Sequence, residues 1–598
     1  MVTARTSREC FSILIIAVIA EILYSVLQPA LAADIRPKPA NAQQIAQGTN
    51  SSIVQGNQLV LNGRSISASW SQWQTKGQSR IGLSDAALIQ LFGVELLSTN
   101  NASQQPVQWF SNSFSLATQL VPPLRYLDVT ELTQRAGWQV QANGNTLQIS
   151  TPSAKVLEIQ QGQSVPSIDQ IVVRLDRSAP YQIDQQSQEL LLTVNATIDP
   201  SLAKTFKPNP ASLIRSLRIE AAPNQTLLRI GIPIALRPRI TTSSDRITIE
   251  VGANSLATKD ILWANGLRWR QQYFTIGGAQ LPIVWLEANP RQPGLSIRPI
   301  LPNNTTVEGT APLIQTAQRT SATAAINGGY FNRNELLPLG VVRLENRFVS
   351  GPILNRGVVG WDNNGNFRFD RLALQETLIL SSGQRFPLTT LNSGYVQAGI
   401  ARYTSDWGTT YTTLSDNEIL LTVQNNQVVA QQTVAKAGSA VPLPTTGYLL
   451  VFRSNRTAAS SFSVGSPVQL ESTLTPSTFS ALPNIVGAGP LLIQNNQIVL
   501  DGKAERFSDA FVQERAARSA IGQTADNRIL IVSVQNRTLG AGATLSEMAQ
   551  IMQQLGAVNA LNLDGGSSTT LYLGGQILDR PPRSSARVHN GLGIFLQP

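Results

Sequence analysis

Residues 528–570 read RILIVSVQNRTLGAGATLSEMAQIMQQLGAVNALNLDGGSSTT, and they decide how the C-terminal half of the chain is interpreted. Residues 528–534 have the continuous apolar character of a buried strand. Thr544 and Glu547 form a capping box, which predicts a helix with apolar residues along one side. Gly556 ends that helix, and residues 557–563 predict a second strand. The order strand, helix, strand therefore predicts a mixed α/β unit.

The second strand runs into an unusual turn. A carboxylate, two glycines and four hydroxyls follow one another in residues 564–570. Glycines permit positive φ and close approach of a ligand, and successive N–H groups can form a nest that binds an anion. Hydroxyls can donate to phosphate or sugar oxygens, and Asp564 has the chemistry of an acid, a base or a metal ligand. The alternative is a tight turn that Asp564 merely caps.

Four other motifs precede or follow this turn. They are AAINGGYFN at 324–332, GAGPLLI at 487–493, RSAIGQ at 518–523 and SARVHNGL at 585–592. Taken in this order with the turn and the capped helix, they resemble the phosphodiester glycosidase family over roughly residues 260–598. The resemblance implies an enzyme that hydrolyses a sugar-1-phosphodiester at the glycosidic carbon.

The same resemblance implies the site. Its catalytic candidates are Asn327, Arg518 and Asp564. Its substrate-binding candidates are Gly328, Gly329, Gly565, Gly566, Ser567, Ser568, Thr569, Arg587 and Asn590. The chemistry agrees, because arginine binds phosphate bidentately and a carboxylate can act as base or nucleophile at an anomeric carbon.

Parts of the site stay open. A glycosidase usually has two carboxylates, and Glu287, Asp362 and Asp509 are candidates for the second without support from spacing. Many members of the family carry Asp-Gly where this chain has Gln535-Asn536, which puts the activity or the substrate in question. No cofactor is certain, and a divalent cation such as Ca²⁺ at Asp564 is left open.

Other conspicuous side chains have simpler interpretations. His589 is expected to be a satisfied polar residue beside the site, and not its catalyst. Three tryptophans of the C-terminal region, Trp285, Trp361 and Trp407, are expected to pack in the core and not to stack on sugars.

Composition excludes several classes of protein. Of 598 residues, 42% are apolar and 14% charged, which supports buried cores and argues against disorder or a coiled coil. The net charge is +10, but the basic residues form no run of five or more, so we expect no nucleic-acid partner. One cysteine, Cys10, and one histidine exclude disulfides, thiolate metal sites and histidine-rich metal sites.

The N-terminus predicts export. Arg5 and Arg8 precede an apolar stretch, and Ala30-Leu31-Ala32 supplies the small residues of a signal-peptidase site. We predict a signal peptide over residues 1–33 and a location in the periplasm, the cell envelope or outside a bacterial cell. An uncleaved membrane anchor is the alternative.

The predicted fold class is α+β, a β-rich multi-domain chain with a large mixed α/β C-terminal catalytic-type domain. A linker at 34–56 leads to a small α+β module at 57–151, a β-sandwich-like module at 152–258 and the glycosidase-like domain at 259–598. In the first module, helices are predicted after Ser84 and across residues 126–137, followed by a hairpin at Asn143-Gly144. This module resembles the N-terminal module of copper amine oxidases, without the residues for copper chemistry.

The sequence therefore predicts an exported hydrolase that cleaves glycosyl phosphodiesters in envelope or extracellular glycans. The two modules after the linker are expected to hold it near peptidoglycan or the envelope. A non-catalytic carbohydrate- or peptidoglycan-binding protein is the alternative, and a purely structural envelope protein is the second.

Overall fold

The computed structural model describes residues 53–165, 168–186, 188–205, 213–233, 236–252, 254–303, 307–538 and 540–597. The predicted signal peptide and most of the predicted linker lie outside these ranges. None of the helices within them combines the length and the apolar character that a membrane crossing requires. The chain is rich in strands and its helices are short, so the prediction of a β-rich chain is confirmed.

The first sheet has nine strands in the order β4-β5-β6-β7-β3-β2-β1-β9-β8. Its strands are β1 Val54–Leu61, β2 Arg64–Thr75, β3 Gln78–Ser84, β4 Glu95–Leu96, β5 Gln104–Trp109, β6 Asn112–Val121, β7 Leu124–Asp128, β8 Gln139–Asn143 and β9 Thr146–Ser150. Its helices are α1 Asp85–Phe92 and α2 Thr130–Arg135.

Local signals in this region are mostly confirmed. The Ser84 side chain accepts from the Ala87 N–H, and Gly93 closes α1 at a φ of 69°. The hairpin of β8 and β9 forms across Gly144, as predicted. The helix predicted over residues 126–137 is wrong in its first part, because residues 126–128 pair with β3 as a strand. The linker predicted over residues 34–56 ends earlier than expected, since Val54 already pairs with β2.

Two smaller sheets follow, with strand orders β14-β10-β11-β18-β17 and β12-β13-β16-β15. They contain β10 Lys155–Val165, β11 Ile168–Leu175, β12 Tyr181–Gln185, β13 Glu189–Val194, β14 Thr197–Ile198, β15 Ser216–Ala222, β16 Gln225–Gly231, β17 Arg239–Ser243 and β18 Arg246–Val251, with α3 Pro200–Thr205. Apolar side chains of both sheets share one core cluster, which stabilises them against each other.

The remaining chain forms several sheets. Its first strands are β19 Lys259–Ala264, β20 Leu267–Ile276, β21 Ala279–Ala288, β22 Leu295–Ile300, β23 Ala311–Pro312, β24 Ala324–Asn327, β25 Val342–Leu344, β26 Arg347–Ser350, β27 Gly357–Trp361 and β28 Phe367–Arg371, with α4 Leu313–Thr320. Next come β29 Ala373–Leu380, β30 Arg385–Pro387, β31 Thr390–Leu391, β32 Gly399–Tyr403, β33 Thr410–Thr412, β34 Glu418–Gln424, β35 Gln427–Val434, β36 Ala440–Pro442, β37 Tyr448–Arg453 and β38 Val468–Thr475, with α5 Arg456–Ala459.

The last strands are β39 Asn484–Gly487, β40 Leu491–Gln494, β41 Gln497–Ile498, β42 Arg518–Thr524, β43 Ile529–Val534, β44 Ala557–Asn562, β45 Leu571–Leu573, β46 Gln576–Ile577, β47 Arg587–Val588 and β48 Gly591–Leu596. The helices here are α6 Asp509–Gln513 and α7 Leu545–Gln554, and 3₁₀ turns cover Ser477–Ala481, Gly566–Ser568 and Pro582–Ser584.

Two of these sheets position the predicted site. One has the order β19-β20-β21-β43-β42-β44-β40-β41, and the other β22-β48-β24-β45-β46. β42 pairs antiparallel with both β43 and β44, so those two run parallel, and α7 with its confirmed capping box connects them. The turn after β44 carries the chain from the first of these sheets to the second.

A buried ion pair joins the first sheet to the C-terminal region. Arg125 of β7 donates to Asp85 at 2.8 Å from Nη2, and both side chains are about 1% exposed. The Trp263 indole N–H also donates to Asp85, at 2.6 Å, and Arg125 Nη1 donates to the Trp263 carbonyl at 3.1 Å. Because each partner satisfies the other's polar groups, the joint has no uncompensated charge.

Candidate active site

The predicted turn of residues 564–570 lies where the two sheets meet. Antiparallel pairing brings the start of β42, at Arg518, to the same edge as the end of β44. In the second sheet, the end of β24 at Asn327 lies beside the start of β48 at Gly591. Residues far apart in sequence therefore meet around Asp564.

Asn327 is the residue that joins these strands. Its Nδ2 donates to the Asp564 carbonyl at 2.6 Å. Its Oδ1 accepts from the Ser519 hydroxyl at 2.8 Å and from the Thr570 N–H at 3.1 Å. The side chain is fully buried, so the amide positions the turn and has no surface left for a substrate.

The Asp564 carboxyl is half-buried beside this amide. Its Oδ1 accepts from the Gly565 N–H at 3.0 Å, and the Ser568 hydroxyl also hydrogen-bonds to it. Burial raises the pKa of Asp564 to about 6, although these hydrogen bonds and the charges of Arg333 and Arg518 oppose the shift. A carboxyl that titrates near neutral pH is suited to proton transfer.

Arg518 is held beside Asp564 by backbone carbonyls. Its Nε donates to Ala543 O at 3.0 Å, and its Nη2 donates to Glu514 O. No acceptor among the described residues takes a hydrogen bond from Nη1. Burial lowers the pKa of Arg518, and the negative charge of Asp564 is one of the influences that oppose this.

The glycines of the first motif make room for protein and not for ligand. A Cβ on Gly328 would lie 2.0 Å from Asn590 Oδ1, and one on Gly329 would lie 2.2 Å from the Gly487 carbonyl oxygen. The Gly329 N–H donates to Asn590 Oδ1 at 2.8 Å, so the Asn-Gly-Gly and His-Asn motifs interlock.

The prediction that successive N–H groups of the turn form an anion-binding nest is wrong, because these groups already have acceptors. The Gly565 N–H donates to Asp564, and the Gly566 N–H donates to Ala517 O at 2.7 Å. Gly566 does have a positive φ, of 61°. Of the predicted hydroxyls, Ser568 and Thr569 are buried and Ser567 is exposed, so Ser567 is the one that faces outward.

Arg587, a predicted substrate-binding residue, and His589, expected to be a satisfied polar residue, both bond to backbone carbonyls. Arg587 donates to the Thr310 backbone carbonyl and, at 3.3 Å, to its hydroxyl, without contact to Asp564 or Arg518. His589 is fully buried between Val307 O, 2.6 Å from Nε2, and the Asn590 amide, 3.2 Å from Nδ1. Burial lowers the pKa of His589 to about 4, which makes it the satisfied neutral histidine that was expected.

None of the proposed second carboxylates lies at the turn. Glu287 pairs with Arg270 and Arg528, Asp362 caps its own turn, and Asp509 is exposed near Lys503. The tryptophans Trp285, Trp361 and Trp407 are buried in the core, as expected. Within the described ranges, no three of the residues His, Cys, Asp and Glu are grouped closely enough to hold a metal ion.

The departure at Gln535 lies in a buried network beneath the turn. Gln535 Nε2 donates to Asp579 Oδ2 at 2.7 Å and to the Ser533 hydroxyl at 2.8 Å. Asp579 Oδ1 accepts from the Leu571 N–H at 2.9 Å. The neighbouring Arg580 donates to the carbonyls of Gly566 and Ser567 at 3.0 and 2.9 Å. Asp579 therefore holds Leu571, the residue after the turn, and Arg580 holds the backbone of the turn at Gly566 and Ser567.

An aromatic group that the sequence did not reveal adjoins Arg518. Tyr330 donates from its hydroxyl to Gly489 O at 2.7 Å and accepts from Asn562 Nδ2 at 2.9 Å. Its ring contacts Phe507 and Phe511, with centroids 5.7 and 5.9 Å away. The Asn-Gly-Gly-Tyr motif was the available signal for Tyr330, but no local pattern marks Phe507 or Phe511.

Two cavities of the structure are lined by residues outside this site. A cavity of about 390 Å³ is lined by Arg298, Arg319, Arg347 and Phe595 among others, and by none of the predicted site residues. Another, of about 490 Å³, lies beside Arg125 and Trp263. The geometry at Asp564 is the stronger guide to chemistry, because it brings a titrating carboxyl and an arginine together.

Comparisons with known proteins show what this chain is similar to. A crystal structure of a hypothetical protein from Synechocystis shares 43% identity with this chain, with a TM-score of 0.84, and the match covers 92% of this chain and all of that one. The N-acetylglucosamine-1-phosphodiester alpha-N-acetylglucosaminidases of Mus musculus and Homo sapiens are each 37% identical to it over 71 residues. That segment is 12% of this chain and spans only 14% of the length of these curated relatives.

The family comparison covers the turn itself. The model of the phosphodiester glycosidase family matches residues 417–595, a range that contains Arg518, the capped helix α7, Asp564 and Asn590. Residues 417–595 of this chain thus match the phosphodiester glycosidase family, as the sequence motifs predict.

Proposed function

We propose that this protein is an exported hydrolase that cleaves the glycosidic bond of a sugar-1-phosphodiester in envelope or extracellular glycans. The observation that carries the proposal is that two groups lie within electrostatic range of each other: Asp564, whose pKa burial raises to about 6, and Arg518, whose Nη1 is unpaired among the described residues. The match of residues 417–595 to the phosphodiester glycosidase family supports the reaction type.

In the proposed reaction, the Arg518 guanidinium binds the phosphate and the Asp564 carboxylate takes a proton from a water molecule. That water attacks the anomeric carbon, and the bond from this carbon to the phosphate oxygen breaks. The products are a free sugar and a phosphate monoester, and Asp564 then releases its proton to solvent. Atoms and charges balance without a cofactor.

One carboxylate is enough for this substrate. A glycosidase that expels a sugar alcohol needs a general acid to protonate the leaving oxygen. A phosphate monoester has a second pKa of only about 6, so it leaves without protonation. This argument accounts for a site in which Glu287, Asp362 and Asp509 each have partners outside the turn.

The location and attachment of the enzyme are also proposals. The basic, apolar and small-residue order of residues 1–33 supports export. The two N-terminal modules are proposed to associate with peptidoglycan or the envelope. A divalent cation such as Ca²⁺ at Asp564 is tested by activity assays with and without a chelator.

The test is product analysis on a panel of sugar-1-phosphate alkyl esters with the purified full chain. We expect free sugar and an alkyl phosphate from at least one compound, and none from Asp564→Asn. Asp526→Asn is the matched control, because Asp526 is an exposed carboxylate paired with Arg528. Unchanged turnover in Asp564→Asn overturns the role of Asp564. Tight glycan binding without any product supports the alternative of a binding protein.

A further inference from the structure

Phe507 and Phe511, beside Arg518, form a stack of two rings with a guanidinium group at each end. Phe507 and Phe511 stack with their centroids 5.0 Å apart and their planes 18° apart, and both rings are half-buried. The Arg518 guanidinium lies 5.6 Å from the Phe511 centroid. The Arg356 guanidinium lies 4.1 Å from the Phe507 centroid and 5.8 Å from that of Tyr330. These distances are those of cation–π contacts.

Arg356 is held in the same way as Arg518. Its Nε donates to the Glu505 carbonyl at 3.3 Å. No hydrogen-bond acceptor among the described residues receives a bond from either of its Nη atoms. The nearby Glu505 carboxylate does not neutralise it directly, because its oxygens already accept from Gly357, Leu491 and Arg371. Arg356 therefore presents a fixed guanidinium with unused donors.

Arg356 and Arg518 act on different places. The charges that influence Asp564 include those of Arg333 and Arg518. The groups that influence Arg356 are Tyr330, Glu505 and Tyr395. The charge of Arg518 thus favours the ionised form of the Asp564 carboxyl, whereas Arg356 lies on the other side of the stacked rings from Arg518.

This arrangement suits an extended substrate. A guanidinium that stacks on an aromatic ring keeps its N–H edge free, and that edge is a planar fork for phosphate. We propose that Phe507, Phe511 and Arg356 form a subsite for the part of the substrate beyond the scissile phosphate. In this subsite the stacked rings hold the Arg356 guanidinium in place, and a further phosphate on the second sugar of the substrate binds Arg356. This inference rests on the proposed function and defines its substrate class as a glycosyl phosphodiester whose far sugar is itself phosphorylated.

The experiment compares two substrates with the same scissile bond. One is a glycosyl-1-phosphate methyl ester, and the other is a glycosyl-1-phosphoryl sugar that carries a second phosphate. The variants are Arg356→Gln, Arg356→Lys and Phe507→Leu. The control is Arg385→Gln, because Arg385 is exposed and paired with Glu471 on a distant sheet. Thermal midpoints confirm that each variant is folded.

On the extended substrate, we expect Arg356→Gln to raise KM about tenfold, the scale of one lost charge-assisted hydrogen bond, with kcat within a factor of about two. Arg356→Lys should recover part of the loss, because it restores the charge without the planar fork. Phe507→Leu should also raise KM, and Arg385→Gln should not. On the methyl ester, Arg356→Gln should match the wild type. Equal effects on both substrates, or none on either, overturn the subsite.

A binding measurement separates this inference from the proposed function. In the Asp564→Asn background, calorimetry with the doubly phosphorylated compound should show about tenfold weaker binding when Arg356→Gln is added. If the wild type cleaves neither compound, the proposed function fails, while this measurement still decides the role of Arg356. Equal affinity of Asp564→Asn and of the double variant Asp564→Asn with Arg356→Gln would falsify the subsite.

Discussion

Asn327 Nδ2 donates to the backbone carbonyl of Asp564 at 2.6 Å, across 237 residues of chain. The bond fixes the backbone of Asp564, and the Asn327 amide that makes it is fully buried. The same amide accepts from Ser519 and Thr570, so one side chain ties the two strands β24 and β42 to the turn. The position of Asp564 therefore depends on a residue that has no surface for a substrate.

Asn327→Asp is expected to lower kcat about a hundredfold, because a carboxylate cannot donate to the Asp564 carbonyl and the turn shifts. It should also lower the free energy of unfolding by about 2–3 kcal/mol, since a charge is buried with one partner lost. Steady-state kinetics and urea unfolding check both values. Ser519→Ala is the milder companion, because it removes one donor to Asn327 and leaves the bond to Asp564. Equal kcat in Asn327→Asp and the wild type would contradict the positioning role.

The pH profile of kcat should follow Asp564. Activity is expected to fall as the pH drops through about 6, since the base is then protonated. A folded pKa raised above its usual value also means that ionisation costs stability between about pH 4 and 6. Asp564→Asn should therefore raise the free energy of unfolding at pH 7 by about 1–3 kcal/mol, with allowance for partial exposure. Denaturant curves at pH 4 and pH 7 measure the difference, which should be small at pH 4. A less stable variant at pH 7 would show that burial does not penalise the carboxylate.

His589 should produce the opposite slope. Its folded pKa of about 4 lies below its usual value, so between about pH 4 and 6.5 the unfolded chain binds more protons there. Stability from this group is complete near pH 7 and is lost as the pH falls, by about 3 kcal/mol at most. His589→Gln should remove this slope in unfolding experiments from pH 4.5 to 7. An unchanged slope would mean that other groups cause it.

Gln535→Glu tests the network beneath the turn. The new carboxylate would lie where Nε2 now donates to Asp579 at 2.7 Å, with Arg237 and Arg580 as the nearby cations. Two buried carboxyl groups at that distance cannot both ionise, so one stays protonated in the folded state. We expect a loss of about 3 kcal/mol of stability at pH 7 that shrinks toward pH 4. The exposed Gln553→Glu, on α7, is the matched control. A pH-independent loss would contradict the shared proton.

Sequence-based prediction was most accurate for local features, such as helix caps, that residues close together in the chain determine. The capping box of Thr544 and Glu547 and the helix that follows Ser84 each depend on residues a few positions apart, and both are confirmed. Residues 126–128 misled the prediction because their strand pairing with β3 comes from a part of the chain about forty residues away. Asp564 and Arg518 could be proposed as partners only through the family resemblance.

What the sequence could not supply is the set of distant contacts. Arg356, Glu505 and Phe507 come from segments separated by about 150 residues, and no motif links them. Glycine patterns were equally ambiguous. Gly328 and Gly329 suggested room for a ligand, but that room is filled by Asn590 and Gly487. Such assignments need the packing itself, because the same residue type serves a ligand or a neighbouring backbone equally well.

The ion pair of Asp85 and Arg125 has a consequence for how this protein can be divided. Trp263 contributes both its indole N–H and its carbonyl to that pair, so a shortened chain that starts at residue 259 would lose the partners of both. A fragment that ends at 258 would keep the ion pair but leave it open to water on the side that Trp263 now covers. The N-terminal sheet thus completes the burial of this charged network, and we expect either fragment alone to be less stable than the full chain.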